Sequence, residues 1–364
     1  MSDLHFPPRG EWPNRPAEDL GFDPDDLARA CNFAVSSEID WPTDVSAMVA
    51  AEDPPPYNEI IGPTKPRGEA TGVVVKDGYV AATWGAPTRV DMTFSATKSY
   101  LATCAGLALD RGLIADVDEP VVESVPGDWF ASAHNRRITW RHLLQQTSEW
   151  SGTLFGIPDT VDHNRSVGRQ PEGPRKGEPR RLRTPGTFWE YNDVRVNALG
   201  LAALYVWGEP LPDVLLREVM DPIGATDTWE WHPYRNARVD IDGKSLPSVP
   251  GGAHWGGGLW ISAYDHARFG RLMLARGRWN DTQILSTEWI DAALTPCEQN
   301  PRYGFMWWLN PARKPWAAAS ENAFAAIGAG GNMVFVSPEH NLVVVTRWAG
   351  DPNGVIERVI KALR

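Results

Sequence analysis

The chain has 364 residues, 35 Lys+Arg against 46 Asp+Glu, a formal net charge of −11 and 42% hydrophobic residues. At roughly 150 residues per domain that is one large domain or two, with enough apolar material for a sizeable core. The acidic balance argues against nucleic-acid binding and against an anionic membrane surface, both of which call for basic footprints.

Cys31, Cys104 and Cys297 lie too far apart to form a disulfide framework or a zinc site. The start, Met1-Ser2-Asp3-Leu4-His5-Phe6-Pro7-Pro8, lacks the basic and then apolar pattern of a signal peptide. The apolar run Leu199 to Trp207 is about half the length a bilayer requires. A soluble, cytoplasmic protein is therefore expected. Tryptophan, at 18 residues, outnumbers Phe at 11 and Tyr at 8, so indoles should fill the core and some should line a pocket.

Residues 1–70 carry 11 prolines and should wrap irregularly over the surface. One helix interrupts them: Asp23-Pro24-Asp25 is a cap with proline at the first helical position, and Leu27, Ala30, Cys31 and Ala34 form its apolar stripe. Thr71 to Val75 and Tyr79 to Trp84, joined through Asp77-Gly78, read as a β-hairpin. Residues 95–112 read as a helix apolar on most faces, hence buried, and ended by Gly112. Further helices are expected around Trp140 to Gln146, Val194 to Trp207 and Leu211 to Met220. Between them Arg165 to Arg183 holds seven basic residues against Glu172 and Glu178. It reads as a solvated loop or, alternatively, as an attractor of an acidic substrate.

A Gly-rich segment, Pro250 to Gly258, precedes a helix from Tyr264 to Arg276. Strands are then expected at Tyr303 to Leu309, Met333 to Val336 and Leu342 to Arg347, and a last helix at Val355 to Leu363. Strands at both ends with helices between imply an α/β (α+β) arrangement, one sheet completed by both termini with a helical lobe inserted. A single domain over 1–364 is expected. It divides into a wrap (1–70), an α/β lobe (71–94 and about 240–364) and a helical lobe (about 95–239).

No two histidines stand three or four residues apart, and neither G-x-G-x-x-G, G-x-x-x-x-G-K-[ST] nor G-x-S-x-G occurs. Metal, cofactor and nucleotide chemistry are not expected. Phe94-Ser95-Ala96-Thr97-Lys98 does carry S-x-x-K at the mouth of the buried helix. Spacing of three sets Ser95 and Lys98 on one face. A serine hydroxyl becomes nucleophilic once a base takes its proton, and Lys98 serves if burial keeps it neutral. With 17 Ser and 7 Lys, chance alone supplies about 0.3 such pairs, so context carries the motif. Tyr191, just before a helix in Pro185-Gly186-Thr187-Phe188-Trp189-Glu190-Tyr191-Asn192-Asp193, can relay a proton or act as an aromatic staple. Ala326-Ile327-Gly328-Ala329-Gly330-Gly331-Asn332, before a strand, would let a carbonyl approach backbone N–H groups, or is a plain loop. His254 and Trp255 line a pocket or anchor their loop. Trp307 and Trp308 alternate, so at most one faces a cleft.

S-x-x-K, then P-G-T-x-x-x-Y opening a helix, then a Gly-rich late strand resembles the serine β-lactamase and penicillin-binding-protein superfamily. It is most similar to the class C branch with its esterases and 6-aminohexanoate-oligomer hydrolases. Trp140 to Ser148 and Tyr303 to Trp308 are similar to two further stretches of that family, and the likeness runs from Thr71 to Arg347. The resemblance implies a β-lactamase/transpeptidase-like fold, nucleophile Ser95, base Lys98 and acid/base Tyr191. It also implies an oxyanion hole from the Ser95 N–H and, within a residue or two of register, the Ala329 N–H. Gly328, Gly330, Asp193, His254 and Trp255 would border the substrate.

Two departures bear on substrate. Tyr191-Asn192-Asp193 replaces the family's Y-x-N, and Ala326-Ile327-Gly328 lacks the cation and hydroxyl of K-[ST]-G. The expectation is a serine hydrolase that cleaves small-molecule carboxylic esters or linear amides through an acyl-enzyme, without metal or cofactor. The alternatives are a β-lactamase or D-amino-acid peptidase and, from another class, a catalytically silent binding protein on the same fold. Oligomeric state is left open.

Overall fold

Alternation along the strands decides how the molecule is layered. Val73, Val75, Val334, Val336, Val343 and Val345 belong to one buried cluster, whereas Val74, Phe335 and Val344, between them, belong to another. A strand that buries both faces must be covered on both, and this sheet is. The computed structural model describes residues 5–49, 51, 53–171, 173 and 175–364. Met1–Leu4, at the expected leaderless start, and Glu172 of the basic loop lie outside the described residues.

The main sheet has six strands in the order Trp308–Leu309, Phe324–Gly328, Asn332–Ser337, Leu342–Arg347, Thr71–Lys76 and Tyr79–Trp84. All neighbours are antiparallel, and the central pairing sets Thr71 opposite Arg347 and Lys76 opposite Leu342. Both ends of the chain thus meet in one sheet. Asp77 and Gly78 turn the hairpin with φ of 54° and 85°, the doubly left-handed turn an Asp-Gly pair favours.

The α-helices run in chain order α1 (Pro24–Ser36), α2 (Thr97–Asp110), α3 (Trp140–Leu144), α4 (Asp193–Trp207), α5 (Leu211–Leu215), α6 (Ala263–Leu274), α7 (Thr287–Ala293) and α8 (Pro352–Lys361). α1 and α8 cover one sheet face through Leu27, Ala30, Ala34, Val355, Ile356 and Val359, and α6 covers the other. α2 and α4 are buried along most of their length and form the inserted helical lobe. No single helix among the described residues is long and apolar enough to cross a membrane.

Two stretches depart from expectation. Of Tyr303 to Leu309 only Trp308–Leu309 is strand, because Met306 takes a φ of 59° and its N–H bonds Leu144 O at 3.1 Å instead of a ladder partner. Conversely, Phe324–Gly328 is a full strand paired with Asn332–Ser337. Its small residues, Ala325, Ala326 and Gly328, have weak β-propensity and hid it.

The proline-rich wrap is held by side chains from α6. Proline-flanked backbone leaves carbonyls without ladder partners. Arg268 supplies donors to Ile223 O at 2.9 Å, Pro7 O at 3.2 Å and Glu11 O at 2.6 Å, and Arg271 bonds His5 O at 3.2 Å.

Candidate active site

Ser95 stands where the short strand Asp91–Met92 turns into α2. Phe94 makes that turn with a φ of 49°, an unusual conformation for a bulky residue. Its ring is wedged edge-on between Trp41 and Trp348 at centroid distances of 5.8 and 6.1 Å. Arg347, buried, donates to Met92 O at 2.8 Å, to Ile261 O at 2.7 Å and to the Asn332 amide oxygen at 2.6 Å. One guanidinium thus ties the segment leading to Ser95 to the strand that follows the Gly-rich turn.

Lys98, one helical turn on, is 1% exposed and donates to Ser95 Oγ at 2.9 Å. Gly328 lies against the same turn: a Cβ there would stand 2.1 Å from Thr93 O and 3.1 Å from Ser95 N. Only glycine allows so close an approach. Ala329, the next residue, lines the cavity with Ser95. Gly330, also expected at the substrate, turns the hairpin at φ 76° beside Trp348.

Tyr191 precedes α4, whose cap Asn192 accepts from Arg195 N–H at 3.1 Å. Asn192 N–H is held by the Gln146 side-chain oxygen at 2.8 Å, which brings the Trp140 to Ser148 stretch under the site. The Tyr191 ring stacks on Trp308 at 6.0 Å, with Lys98 Nζ 4.8 Å from its centroid. Of the two adjacent indoles, Trp307 packs into the core against Phe269 and Phe324, and Trp308 faces Tyr191.

The surroundings of Lys98 favour its charged form over the neutral amine expected. Its Nζ pairs with Asp193 Oδ1 as well as with Ser95. Burial disfavours the ammonium, but Asp193 outweighs it and holds the Lys98 pKa above that of an ordinary lysine. Burial likewise opposes the Asp193 carboxylate, yet Lys98 and Arg165 hold its pKa well below the usual range. The residue replacing the amide of Y-x-N is therefore the counter-ion of Lys98.

Asp193 opens a larger charged cluster. Its Oδ2 also meets Arg165 Nη1 and His254 Nδ1, the latter at 3.1 Å, and its N–H donates to Asp162 Oδ2 at 2.7 Å. His254 Nε2 reaches Asp53 Oδ2 at 2.7 Å. Burial lowers the His254 pKa, but Asp162, Asp193 and Asp53 together raise it above ordinary. Asp53, Asp162 and His254 bring three metal-type ligand atoms within 4.8 Å of one another. The Lys176 ammonium stands among them, paired with Asp53, 3.1 Å from Asp162 and 3.3 Å from His254 Nε2. The chain's own lysine thus fills the place a cation would take.

Behind this cluster Arg180 and Arg195 clamp Glu149 and Glu190, and Glu149 falls to a pKa of about 2 because these guanidinium groups outweigh its burial. Arg165, Lys176 and Arg180 all come from the loop expected to be solvated. They instead neutralise carboxylates that the fold buries. Asp53, Asp162, Arg165 and Lys176 escaped the sequence reading. The excess of base in residues 165–183 was the signal; one partner, Asp162, stands only three residues before Arg165, whereas Asp53 lies far away in the chain.

The cavity over Ser95 holds about 250 Å³. Trp41, Met48, Val49, Phe94 and Ala329 give it an apolar wall; Ser95, Arg165, Lys176, Asp193 and His254 give it a polar one. Trp255, expected beside it, is fully buried and donates to Tyr57 O at 2.8 Å, so it anchors its loop.

A buried lysine touching a serine at a helix start, under a glycine-edged strand of a two-ended sheet, defines a serine hydrolase. The chain belongs to the β-lactamase family, whose model, "Beta-lactamase", matches residues 67–360. It is 23% identical over 371 residues to an Escherichia coli K12 protein named "Putative D-alanyl-D-alanine carboxypeptidase", covering 90% of this chain and 83% of that one. The structure is similar to EstCE1, "a hydrolase with promiscuous acyltransferase activity", with TM-score 0.56, 19% identity and coverage of 93% and 98% of the two chains. It is also similar to a D-stereospecific amidohydrolase from Streptomyces sp., with TM-score 0.56, 18% identity and coverage of 92% and 98%.

Proposed function

We propose that this β-lactamase-family hydrolase cleaves small-molecule carboxylic esters or linear amides through an acyl-enzyme on Ser95. The observation that carries the reading is the 2.9 Å contact of Lys98 Nζ with Ser95 Oγ at the cavity, beside the backbone of Gly328 and Ala329. The amine form of Lys98 takes the Ser95 proton as Oγ attacks the carbonyl carbon. The N–H groups of Ser95 and Ala329 hold the oxyanion. Tyr191 protonates the leaving group, and water then attacks the acyl-enzyme and releases the acid. Because Asp193 favours the ammonium, the reactive amine is the minor form at neutral pH.

Esters and linear amides are favoured over β-lactams by the missing K-[ST]-G and by Asp193, whose carboxylate is committed to cations. The esterase-like and amidohydrolase neighbours support that breadth.

The test is the mass of the intact protein after incubation with a fluorophosphonate probe, run beside Ser95→Ala. A single adduct on the native chain and none on the variant is expected, together with hydrolysis of a p-nitrophenyl ester but not of a cephalosporin. Cephalosporin turnover would favour the β-lactamase alternative. No adduct and no turnover would leave a binding protein.

A further inference from the structure

We infer that Arg165 is an anion receptor beside the nucleophile, and that the substrate carries a carboxylate within a few atoms of the scissile carbonyl. The inference rests on the acyl-transfer reading of Ser95 and adds to it the charge of the substrate.

The argument begins with hydrogen-bond supply. Among the described residues each carboxylate near Ser95 already faces a cation, Asp162 Oδ1 through the Lys176 ammonium at 3.1 Å without a hydrogen bond. Lys98 takes Asp193 Oδ1; Arg165 and His254 share Oδ2. Lys176 and His254 take the two oxygens of Asp53, while Asp162 faces Lys176, Arg165 and the Asp193 N–H. A cationic substrate would find no unpaired carboxylate among these groups.

Donors are in surplus. Arg165 uses only Nη1, toward Asp193 and, at 3.3 Å, Asp162. Its Nε and Nη2 have no hydrogen-bond partner among the described residues, although the side chain lines the cavity with 21% of its surface open. Nε–H and Nη2–H form the side edge of the guanidinium, two parallel donors matched to the two oxygens of a carboxylate. The head is already oriented, since its Cζ lies 5.3 Å from the centre of the Tyr191 ring and Nη1 is pinned by two aspartates. Binding there would cost little ordering entropy.

Charge points the same way. Both ring nitrogens of His254 face carboxylate oxygens, an arrangement completed when both are protonated. Among the described residues, with His254 protonated and Lys98 an ammonium, Lys98, Arg165, Lys176 and His254 face Asp53, Asp162 and Asp193 and one positive charge is left over; the amine form of Lys98 leaves the cluster balanced, so a bound carboxylate meets no net negative charge in either form.

The experiment uses two matched pairs of substrates. p-Nitrophenyl butyrate against mono-p-nitrophenyl glutarate places the charge on the acyl side; phenyl acetate against 4-acetoxybenzoate places it on the leaving group. The native protein should prefer the carboxylate-bearing member of at least one pair by about 10-fold or more in kcat/KM, the scale of a charge-assisted bidentate contact. Arg165→Met should abolish that ratio and Arg165→Lys should retain part of it, whatever either does to the absolute rate. Equal kcat/KM within both pairs for the native protein would overturn the inference while leaving the hydrolase reading standing. If no ester is cleaved and Ser95 takes no probe, the hydrolase reading fails instead. Calorimetry then decides the anion site: glutarate bound by the native protein but not by Arg165→Met supports it, and no binding to the native protein overturns it.

Discussion

With Asp193 on one side and Ser95 Oγ at 2.9 Å on the other, the Lys98 head group has two partners that favour different protonation states. Asp193 stabilises the ammonium, whereas accepting the serine proton needs the amine. Since the folded pKa is raised above 10.5, the amine fraction grows as pH rises, and kcat/KM should climb through the alkaline range. Asp193→Asn removes the main raising influence and leaves burial and Arg165, which lower the pKa, opposed by Tyr191. The rising limb of the pH–rate profile should therefore move to lower pH, and an unmoved limb would refute the role given to Asp193. Ser95→Ala should abolish turnover, and Lys98→Ala should nearly do so. Tyr191→Phe should cost about 10²-fold in kcat, and a loss below about fivefold would remove it as the proton relay. Ser95, Lys98 and Tyr191 could be picked out in the sequence because each sits in a short local pattern. Asp193 could be seen as a departure from Y-x-N, but its partner could not be read from spacing.

Among the elements, the buried helices were the easiest to foresee. α2 and α4 are apolar almost all round, and their caps Asn192 and Gly208 mark the ends of α4. The strand Phe324–Gly328 was missed because Ala and Gly, weak strand formers in isolation, are what its contact with the Ser95 turn demands. The basic loop behaves as a clasp: Lys176 holds Asp53 of the wrap against Asp162 of the helical lobe. Lys176→Met would take one cation from two buried carboxylates and leave Asp53 with His254 and Asp162 with Arg165 and the Asp193 N–H, so the loss should approach the low end of the about 3–5 kcal/mol that breaking a buried pair costs. Urea denaturation should show that loss, and the double variant Asp53→Asn with Lys176→Met should recover part of it. A loss for Lys176→Met no larger than that of an exposed ion pair, under about 1 kcal/mol, would mean the clasp contributes little.

Over the whole molecule, the buried carboxylates set the response to acid. Glu149 and Asp162 fall from ordinary values of 4.5 and 3.8 to about 2, in each case because cations outweigh burial. A carboxyl depressed on folding stabilises above its unfolded pKa and loses that contribution as pH falls through the folded value. The urea midpoint should therefore drop steeply from about pH 4 toward pH 2, the window set by those two values. His254, raised on folding, acts in the opposite sense, since its contribution is complete below its ordinary 6.5 and fades as pH rises. A midpoint flat down to pH 2 would contradict the charged cluster. The sequence by itself determined the two-ended sheet, the inserted helical lobe, the Ser95–Lys98 pair and the Tyr191 segment, because hydrophobic period and short-range spacing are local and survive without a fold. Only the tertiary structure decided that Lys98 pairs with Asp193, that Trp255 is an anchor, and that Asp53, Asp162, Arg165 and Lys176 meet in one charged cluster beside the cavity. Burial and ion pairing depend on neighbours that lie far away in the chain, as His254 lies 201 positions from Asp53, and no local pattern encodes such a partner.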